Sequence, residues 1–234
     1  MSAVRSGFFW GYCSMIEGLL KKIEDEQKDV FKIILTGGNA SYFKGIHEKI
    51  VLIDVPIPGD GSADFSENRW HHQFHKIIDL PEELTIDREE IYLNYFYNNW
   101  SGKNFVMDRD AQKKYLDAYA NKNAMKSGFE YYRALPQDIK DNLKFLKKGK
   151  LNIPFLGIAG GEGYGRGIEI ILKSLKRVTN NYEGYEISNC GHWVAEEEPE
   201  LISKYITDRS IFKACKSQIY LIVVSSKSPC KILF

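Results

Sequence analysis

The sequence predicts an α/β fold whose sheet is mostly parallel and is interrupted by a long helical section. Short, apolar, β-branched runs that end in glycine or proline occur before residue 60 and again after residue 150, each followed by a segment with helical spacing. Between them, from residue 70 to about residue 150, the chain is rich in Tyr, Phe, Glu, Asp and Lys and poor in β-branched runs. We therefore expect that section to be all-helical.

The first fifty residues predict the order helix, strand, turn, helix. Apolar residues recur at intervals of three and four between residues 8 and 23, as on one face of an amphipathic helix. The run "VFKIILTGG" is typical of a short buried strand closed by Gly37 and Gly38, and "NASYFKGIHEK" follows it with helical spacing. This part of the chain therefore contributes one predicted strand.

Later runs supply the remaining strands. "KIVLIDVPIPG" precedes the helical section, and "LNIPFLGIAGG" and "YEGYEIS" follow it, alternating with the predicted helices "GIEIILKSLKRV" and "EEPELISKYI". We expect "FKIILT", "KIVLID", "IPFLGIAG" and "YEGYEIS" to lie largely parallel in one sheet. In the tail, "SQIYLIVVSS" predicts another strand, which as an exposed apolar edge would favour aggregation.

Composition restricts the classes of ligand. The 234 residues include 32 basic and 31 acidic side chains, so no bulk field attracts nucleic acid or an anionic membrane. We predict a small-molecule substrate, no nucleic-acid or membrane partner, and no cofactor. The four cysteines lack paired or metal-ligand spacing, and the N-terminus has no signal-peptide pattern, so we expect a reduced, cytoplasmic protein.

His192 is the first candidate for catalysis. In "SNCGHWVAEEEPE" it directly follows a glycine and precedes an acidic run that opens a helix, a presentation typical of a general base. No G-x-S-x-G or G-x-D-x-G pattern, which would mark a nucleophile elbow, occurs in the sequence. The nearest stretches are "GDGSADF" and "GGEGYGRG", and neither has a nucleophile in the centre after a suitable strand. We therefore expect this base to have no nucleophile within the sequence.

Six segments occur in order between residues 49 and 207: "VLIDVPIPG", "WHHQFHKIIDLPEEL", "REEIYLNYFY", "GFEYYRALPQD", "IPFLGIAGG" and "NCGHWVAEEEPE". Together they resemble the second half of an α/β-hydrolase of the epoxide hydrolase and haloacetate dehalogenase type. The resemblance implies an incomplete α/β-hydrolase sheet with a helical cap at about residues 65 to 150. It also implies hydrolysis of an epoxide, haloacid or ester, in a chain that is truncated and inactive without its nucleophile.

The same resemblance implies roles for individual residues. His192 would activate water or a hydroxyl, while Asp54 or Glu162, each after a strand end, would orient its ring. Asp54 is the favoured acid, because epoxide-hydrolase-like members with similar "PIP" sequences use that position. We expect Asp54 to lie within hydrogen-bonding distance of His192.

The cap segments imply residues on the substrate side. His71 and Tyr132 would donate hydrogen bonds to the leaving oxygen or halide, and Trp70 would help to wall the pocket. Tyr131 is the less favoured member of its adjacent tyrosine pair. The histidines of "HHQFH" also have a spacing that can chelate a transition metal. The resemblance accounts for them without one, and we predict no metal.

Residues 1 to about 48 carry a different signal. "SGFFWGYCSMIEGL" and "FKIILTGGNASYF" resemble the C-terminal end of a type III pantothenate kinase, which implies nucleotide contacts at Gly37 and Gly38. The acidic phosphate motif and catalytic carboxylate of those kinases are not found. Residues 208 to 234 resemble neither family. We expect a gene fusion or a degraded remnant. There are two alternatives to the hydrolase: a residual nucleotide-binding fragment, or an assembly module that pairs with a second copy or a partner chain through an open sheet edge.

Overall fold

The computed structural model describes residues 33–36, 49–62, 69–120, 122–207 and 219–224. The predicted helix between residues 8 and 23 and the predicted nucleotide contacts at Gly37 and Gly38 lie outside these residues. The described elements alternate strands and helices around one long helical insertion. The strands are β1 (Ile33–Thr36), β2 (Lys49–Ile53), β3 (Phe155–Gly160), β4 (Tyr182–Ile187) and β5 (Ile219–Val224).

Eight helices are described. Five lie between β2 and β3: α1 (Trp70–Lys76), α2 (Leu80–Thr85), α3 (Glu89–Trp100), α4 (Arg109–Tyr119) and α5 (Lys122–Leu146). The others follow β3 and β4: α6 (Ile168–Val178), α7 (Val194–Glu197) and α8 (Pro199–Thr207). The prediction of an all-helical insertion is confirmed, and we call helices α1 to α5 the cap.

The strands form one sheet in the order β1-β5-β2-β3-β4, and every pair is parallel. The prediction of an α/β fold with a mostly parallel sheet is therefore confirmed, including the membership of all four strands predicted for it. Ile53 at the end of β2 is level with Ile158 in β3 and with Val224 in β5. The carboxyl ends of these three strands consequently meet at one edge, where α/β proteins place their sites.

The tail strand differs from its prediction. We expected "SQIYLIVVSS" to form an exposed edge, but β5 lies between β1 and β2 and pairs with both. The physical reason is that an inserted strand has its backbone donors and acceptors satisfied on both sides, which an edge strand does not. Within the described sheet, the edges are β1 and β4.

Successive residues of a strand point to opposite faces of the sheet. In the central strands the residues on both faces are apolar, so both faces are buried. On one face Val51, Ile53, Leu156 and Ile158 pack with residues of α7 and α8. On the other, Leu52, Phe155 and Ala159 pack with Ile171 and Leu175 of α6. A separate aromatic cluster fills the cap and reaches the core through Trp193. The core thus fixes the strand ends, and the aromatic cluster fixes the cap above them.

Candidate active site

Asp54 and His192 form a buried pair at the carboxyl edge of the sheet. Asp54 follows β2 and His192 follows β4, and the Asp54 Oδ2 atom lies 2.5 Å from His192 Nδ1. Both side chains are 1% exposed. An ionised carboxylate only accepts hydrogen bonds, so in this contact His192 Nδ1 is the donor. The predicted contact between two segments 138 positions apart is present.

The Asp54 carboxylate is held from its other side by the backbone. Its Oδ1 accepts hydrogen bonds from the amide groups of Gly160 at 3.0 Å and Arg166 at 2.9 Å. The residue itself has φ of 51°, a left-handed conformation that aspartate tolerates better than most residues. Such conformations persist where surrounding contacts fix them, and here three hydrogen bonds do so. The carboxylate therefore presents one oxygen to His192 in a fixed direction.

The loop that carries His192 packs against β3 with no space for a side chain. A Cβ atom on Gly160 would lie 1.9 Å from the carbonyl oxygen of Gly191, so only glycine allows this approach. The backbone amide of His192 donates to the carbonyl oxygen of Trp100, at 2.7 Å. The imidazole is thus positioned by the core on one side and by the end of cap helix α3 on the other.

Glu197, at the end of α7, holds the same loop in place through hydrogen bonds. Sequence analysis did not identify this residue. Its carboxylate accepts from the amides of Gly191 at 2.8 Å, Gly102 at 2.9 Å and Trp193 at 3.1 Å. Gly102 belongs to the cap, so one side chain joins the cap to the histidine loop. The sequence shows only a run of three glutamates, in which nothing distinguishes the middle one.

Glu162, the alternative acid, has other partners. Its Oε2 accepts from the Lys103 amide at 3.2 Å, and its Oε1 lies 3.4 Å from Lys103 Nζ. The acid that contacts the imidazole is Asp54. Glu162 instead links the turn after β3 to the cap.

His71 and Tyr132 lie close together in the cap and are both buried. Their ring centroids are 5.8 Å apart in an edge-to-face arrangement. His71 also contacts Trp100 at 4.9 Å, and Trp100 contacts His192 at 5.2 Å. Burial raises the pKa of Tyr132 well above its usual value, so its phenol stays protonated and can donate a hydrogen bond at neutral pH.

An aromatic cavity, which we call the cap cavity, lies within this region. Its lining includes His75, Tyr92, Phe96, Trp100, Tyr132 and Trp193. Tyr132 lines this cavity, whereas His71 and His192, which we expected at the same cavity, are not among its lining residues. Both histidines contact the ring of Trp100, which lines it. His75, one helical turn after His71, lines the cavity and hydrogen-bonds through Nε2 to the Tyr92 hydroxyl. Spacing alone could not decide between them, because residues four apart share a helix face.

Trp70 and Tyr131 do not line the cap cavity. Trp70 is 48% exposed and stacks on Phe96, with ring centroids 5.8 Å apart. Tyr131 is 44% exposed on the outer side of α5, while its neighbour Tyr132 is buried. Adjacent helical residues point in directions about 100° apart, which separates the two tyrosines. The tryptophans that line the cap cavity are Trp100 and Trp193.

Two further observations concern the described residues only. They contain no group of three His, Cys, Asp or Glu side chains arranged to hold a metal ion. None of the helices among them has the length and apolar character needed to cross a membrane.

Solved structures with a similar fold define its class. The chain resembles Cfl2 from Burkholderia cenocepacia with a TM-score of 0.65 and 24% identity, covering 82% of this chain and 69% of that one. It resembles the Cif epoxide hydrolase from Acinetobacter nosocomialis with a TM-score of 0.60 and 23% identity, covering 68% and 52%. The putative α/β hydrolase ALR0039 from Nostoc sp PCC 7120 gives 0.64 and 20%, covering 83% and 71%. The fold is therefore that of the α/β-hydrolases, and the predicted resemblance is confirmed.

A second likeness concerns a quarter of the chain. It is 48% identical over 61 residues to the type III pantothenate kinase of Pelagibacter ubique (strain HTCC1062), covering 25% of each. It is 48% identical over 57 residues to that of Caulobacter vibrioides, covering 24% of this chain and 22% of the kinase. The chain spans about a quarter of the length of these curated relatives. The predicted kinase resemblance is confirmed, and no family model matches the chain.

Proposed function

We propose that this chain carries the histidine, the orienting carboxylate and the cap of a hydrolase for a small epoxide, haloacid or ester, and that it is inactive until a nucleophile is supplied. The observation that carries the proposal is the hydrogen bond between Asp54 and His192. A buried carboxylate that fixes the tautomer of an imidazole is the arrangement that general-base hydrolysis requires.

The chemistry follows from the second ring nitrogen of His192, Nε2, as the proposed base. It would take a proton from water while the water oxygen attacks the carbon of an ester formed by the nucleophile. The imidazolium would then return that proton to the departing group, and Asp54 would stabilise the positive charge in between. Tyr132 would donate a hydrogen bond where negative charge develops on the leaving oxygen or halide.

The proposed inactivity rests on the missing elbow motif. Without a nucleophile, a hydrolase site loses most of its chemical acceleration and keeps only what binding and oriented dipoles provide. His192 would then orient water without a covalent intermediate to hydrolyse. We expect purified protein to show no turnover of epoxides, haloacids or esters above buffer.

Nitrogen-15 NMR of the imidazole tests the pair directly. We expect the neutral His192 ring to carry its proton on Nδ1 and to lose that preference in Asp54→Asn. A dominant Nε2-protonated ring in the unsubstituted protein would overturn the proposed base. Turnover of any substrate that disappears in His192→Ala would overturn the inactivity.

A second candidate function is nucleotide binding by residues 1 to about 48, which carry the kinase resemblance, favoured by the identity of a quarter of the chain to pantothenate kinases. We propose that Gly37 and Gly38 allow a backbone approach to a nucleotide. ATP with magnesium should then raise the melting temperature, and Gly38→Val should abolish the shift while Gly128→Val, at a helical position with room for a side chain, should not. If ATP does not change the melting temperature, this candidate function is excluded.

Pairing between chains is the remaining proposal, supported by strand β1, which among the described strands pairs only with β5. A free strand edge is a template for a strand of another chain. Size-exclusion chromatography with light scattering should then show a dimer or larger species. A monomer at high concentration contradicts it.

A further inference from the structure

The cap cavity is formed almost entirely by the cap helices. Helices α1, α3, α4 and α5 supply all of its lining residues except Trp193. Its volume is about 490 Å³, part of which is open to solvent, and pockets of this size hold small molecules. Protein interiors are otherwise packed as closely as organic crystals. A space of this size between packed helices therefore requires an explanation.

Gly128 leaves this space open at the expense of its helix. A Cβ atom at this position would meet only Tyr119, at 3.7 Å, which is an ordinary contact. Gly128 is also not among the glycines with positive φ, so neither packing nor backbone conformation requires it. Glycine within a helix is destabilising relative to alanine. Because Gly128 and Tyr119 both line the cavity, a larger side chain here would extend into space that a ligand can occupy.

The wall of the cavity is aromatic and carries no fixed charge. Most of the lining side chains are aromatic, and none of the lining residues is Asp, Glu, Lys or Arg. An ion that entered would lose its hydration without meeting an opposite charge. Burial raises the pKa of Tyr92 and of Tyr132, so these phenols also stay uncharged at neutral pH. The cavity therefore favours a neutral ligand with an apolar body.

A hydrogen-bonded pair, His75 of α1 and Tyr92 of α3, gives this wall a polar position. His75 Nε2 bonds to the Tyr92 hydroxyl. A phenol hydroxyl has one donor and two acceptor positions, so this bond leaves Tyr92 able to bond a second group. If the hydroxyl donates to Nε2, its oxygen can accept from a ligand, and if Nε2 donates, the hydroxyl can donate to a ligand. In both cases a neutral oxygen-containing group fits.

We propose that the cap cavity binds a small neutral molecule whose apolar body contacts the aromatic wall and whose polar oxygen hydrogen-bonds to Tyr92. The inference narrows the substrates of the hydrolase-type site to neutral epoxides and esters, since haloacids are anions at neutral pH, and it rests on the proposed function for that meaning. Binding itself requires neither His192 nor a nucleophile. It can therefore be measured on the chain alone.

The test compares three ligands of similar size by ligand-observed NMR titration at matched ionic strength. Benzyl alcohol is neutral, benzylammonium is a cation and benzoate is an anion. We expect benzyl alcohol to bind at least about tenfold more tightly than either ion, because a buried ion would have no counter-charge in this wall. Equal affinities, or no measurable binding of benzyl alcohol, overturn the proposal. Tighter binding of either ion also overturns it, and a preference for benzylammonium would indicate an aromatic cage for cations instead.

A cavity-filling variant locates the binding. Gly128→Leu places a side chain in the space and should weaken binding of benzyl alcohol by about tenfold or more. Ser127→Leu, which introduces the same residue at the neighbouring exposed position of α5, is the matched control and should not change the affinity. Unchanged affinity in Gly128→Leu contradicts binding in the cap cavity.

A second variant tests the hydrogen bond and decides the question if Gly128→Leu does not fold. Tyr92→Phe keeps the ring and removes the hydroxyl, so it should weaken benzyl alcohol by about fivefold and leave toluene unaffected. Tyr95→Phe, on the same helix at a position that is 46% exposed, should change neither ligand. An equal effect of Tyr92→Phe on the alcohol and on toluene contradicts the proposed hydrogen bond.

One further variant separates this inference from the proposed function. His192→Gln removes the proposed base, which does not line the cavity, so it should retain the preference for benzyl alcohol. If the NMR test of the His192 tautomer fails while the alcohol still binds, the hydrolase proposal falls and the neutral-ligand site stands. Loss of the preference in His192→Gln would count against that site.

Discussion

Two aspartates at the two ends of one loop, Asp54 and Asp60, are equally buried and have different partners. Both residues are 0% exposed. Asp54 contacts an imidazole that can bind and release a proton. Asp60 accepts from the backbone amide and hydroxyl of Ser62, at 2.7 and 2.5 Å, and from the hydroxyl of Ser174. Burial alone therefore does not mark a functional carboxylate, whereas the chemistry of its partner does.

The Asp60 end explains the "GDGS" sequence, one of the two stretches closest to a nucleophile elbow. Gly59 and Gly61 have φ of 84° and 78°, and between them the backbone oxygen of Asp60 accepts from Arg177 of α6. Ser174 lies on the same helix. The motif thus fixes the loop after β2 to helix α6. Its serine, Ser62, donates its hydroxyl hydrogen bond to Asp60, which is a structural contact. The loop presents Asp54 to the site because its other end is fixed.

The largest expected effect comes from the packing at the Asp54 end. Gly160→Ala would force the histidine loop away from β3, because the new Cβ would lie 1.9 Å from a backbone oxygen. We expect a loss of about 4 kcal/mol in the free energy of unfolding, measured by urea denaturation. Gly128→Ala is the control: its Cβ would meet only Tyr119, at 3.7 Å, within a helix. That variant should be stabilised by about 0.5 to 1 kcal/mol. Equal behaviour of the two would contradict the packing.

The next largest effect tests the Asp60 end. Asp60→Ala leaves the hydroxyls of Ser62 and Ser174 buried without their acceptor, and we expect a loss of about 3 kcal/mol in the free energy of unfolding. Asp110→Ala, at an exposed position in α4, should change it little. A small effect of Asp60→Ala would mean that the loop is not fixed by this carboxylate.

Glu82 extends the comparison to a buried carboxylate with a charged partner. Arg133 hydrogen-bonds to both oxygens of Glu82 and also to Glu130, which is 53% exposed where Glu82 is 2% exposed. We expect Glu82→Gln to lower the free energy of unfolding by about 2 kcal/mol, since it leaves a partly buried guanidinium with only the exposed Glu130 as counter-charge. Glu130→Gln, which removes the exposed partner of the same arginine, should lower it by at most about 0.5 kcal/mol.

This ion pair also has a pH signature with a definite sign. The hydrogen bond from Arg133 lowers the pKa of Glu82 below its usual 4.5. Its stabilisation is therefore complete above that usual value and is lost as the pH falls through the lowered one. Urea denaturation between about pH 7 and about pH 3 should show a smaller loss of stability in Glu82→Gln than in the unsubstituted protein. An identical pH dependence in both would exclude a contribution from Glu82.

The substitution of Asp54 by asparagine should have a small effect on the free energy of unfolding, but its effect on the His192 tautomer should distinguish Asp54 from Asp60. Asp54→Asn keeps the shape and one acceptor oxygen, so the free energy of unfolding should fall by only about 1 kcal/mol. The same substitution should change the His192 tautomer, since the amide nitrogen can donate where the carboxylate accepted. Asp60→Asn, the matched control, should leave the His192 signals unchanged. A shift of those signals in Asp60→Asn would mean that the two ends are not independent.

The sequence predicted which segments form strands and helices better than it predicted which of them lie side by side. Strands β2 and β3 were found because their buried apolar runs end in aspartate or glycine. Strand β4, whose residues are mostly half-buried, was expected from the alternation of strands and helices. The position of β5 was not found, because strand propensity does not identify the partners of a strand. Asp54 was expected beside His192 from the family resemblance, and parallel strands do bring their carboxyl ends together. His75 and Glu197 were missed, since the role of each depends on contacts between distant segments.

The insertion of β5 between β1 and β2 has a consequence for how the chain folds during synthesis. The ribosome releases β1 and β2 first, yet neither can join the other until a strand more than 160 positions later has emerged. During that interval the backbone groups on one side of β2 have no strand beside them, and such exposed edges invite chaperones or association with other chains. Pairings between distant positions are also slow to form. The yield of folded protein should therefore depend on the speed of translation of the last segment.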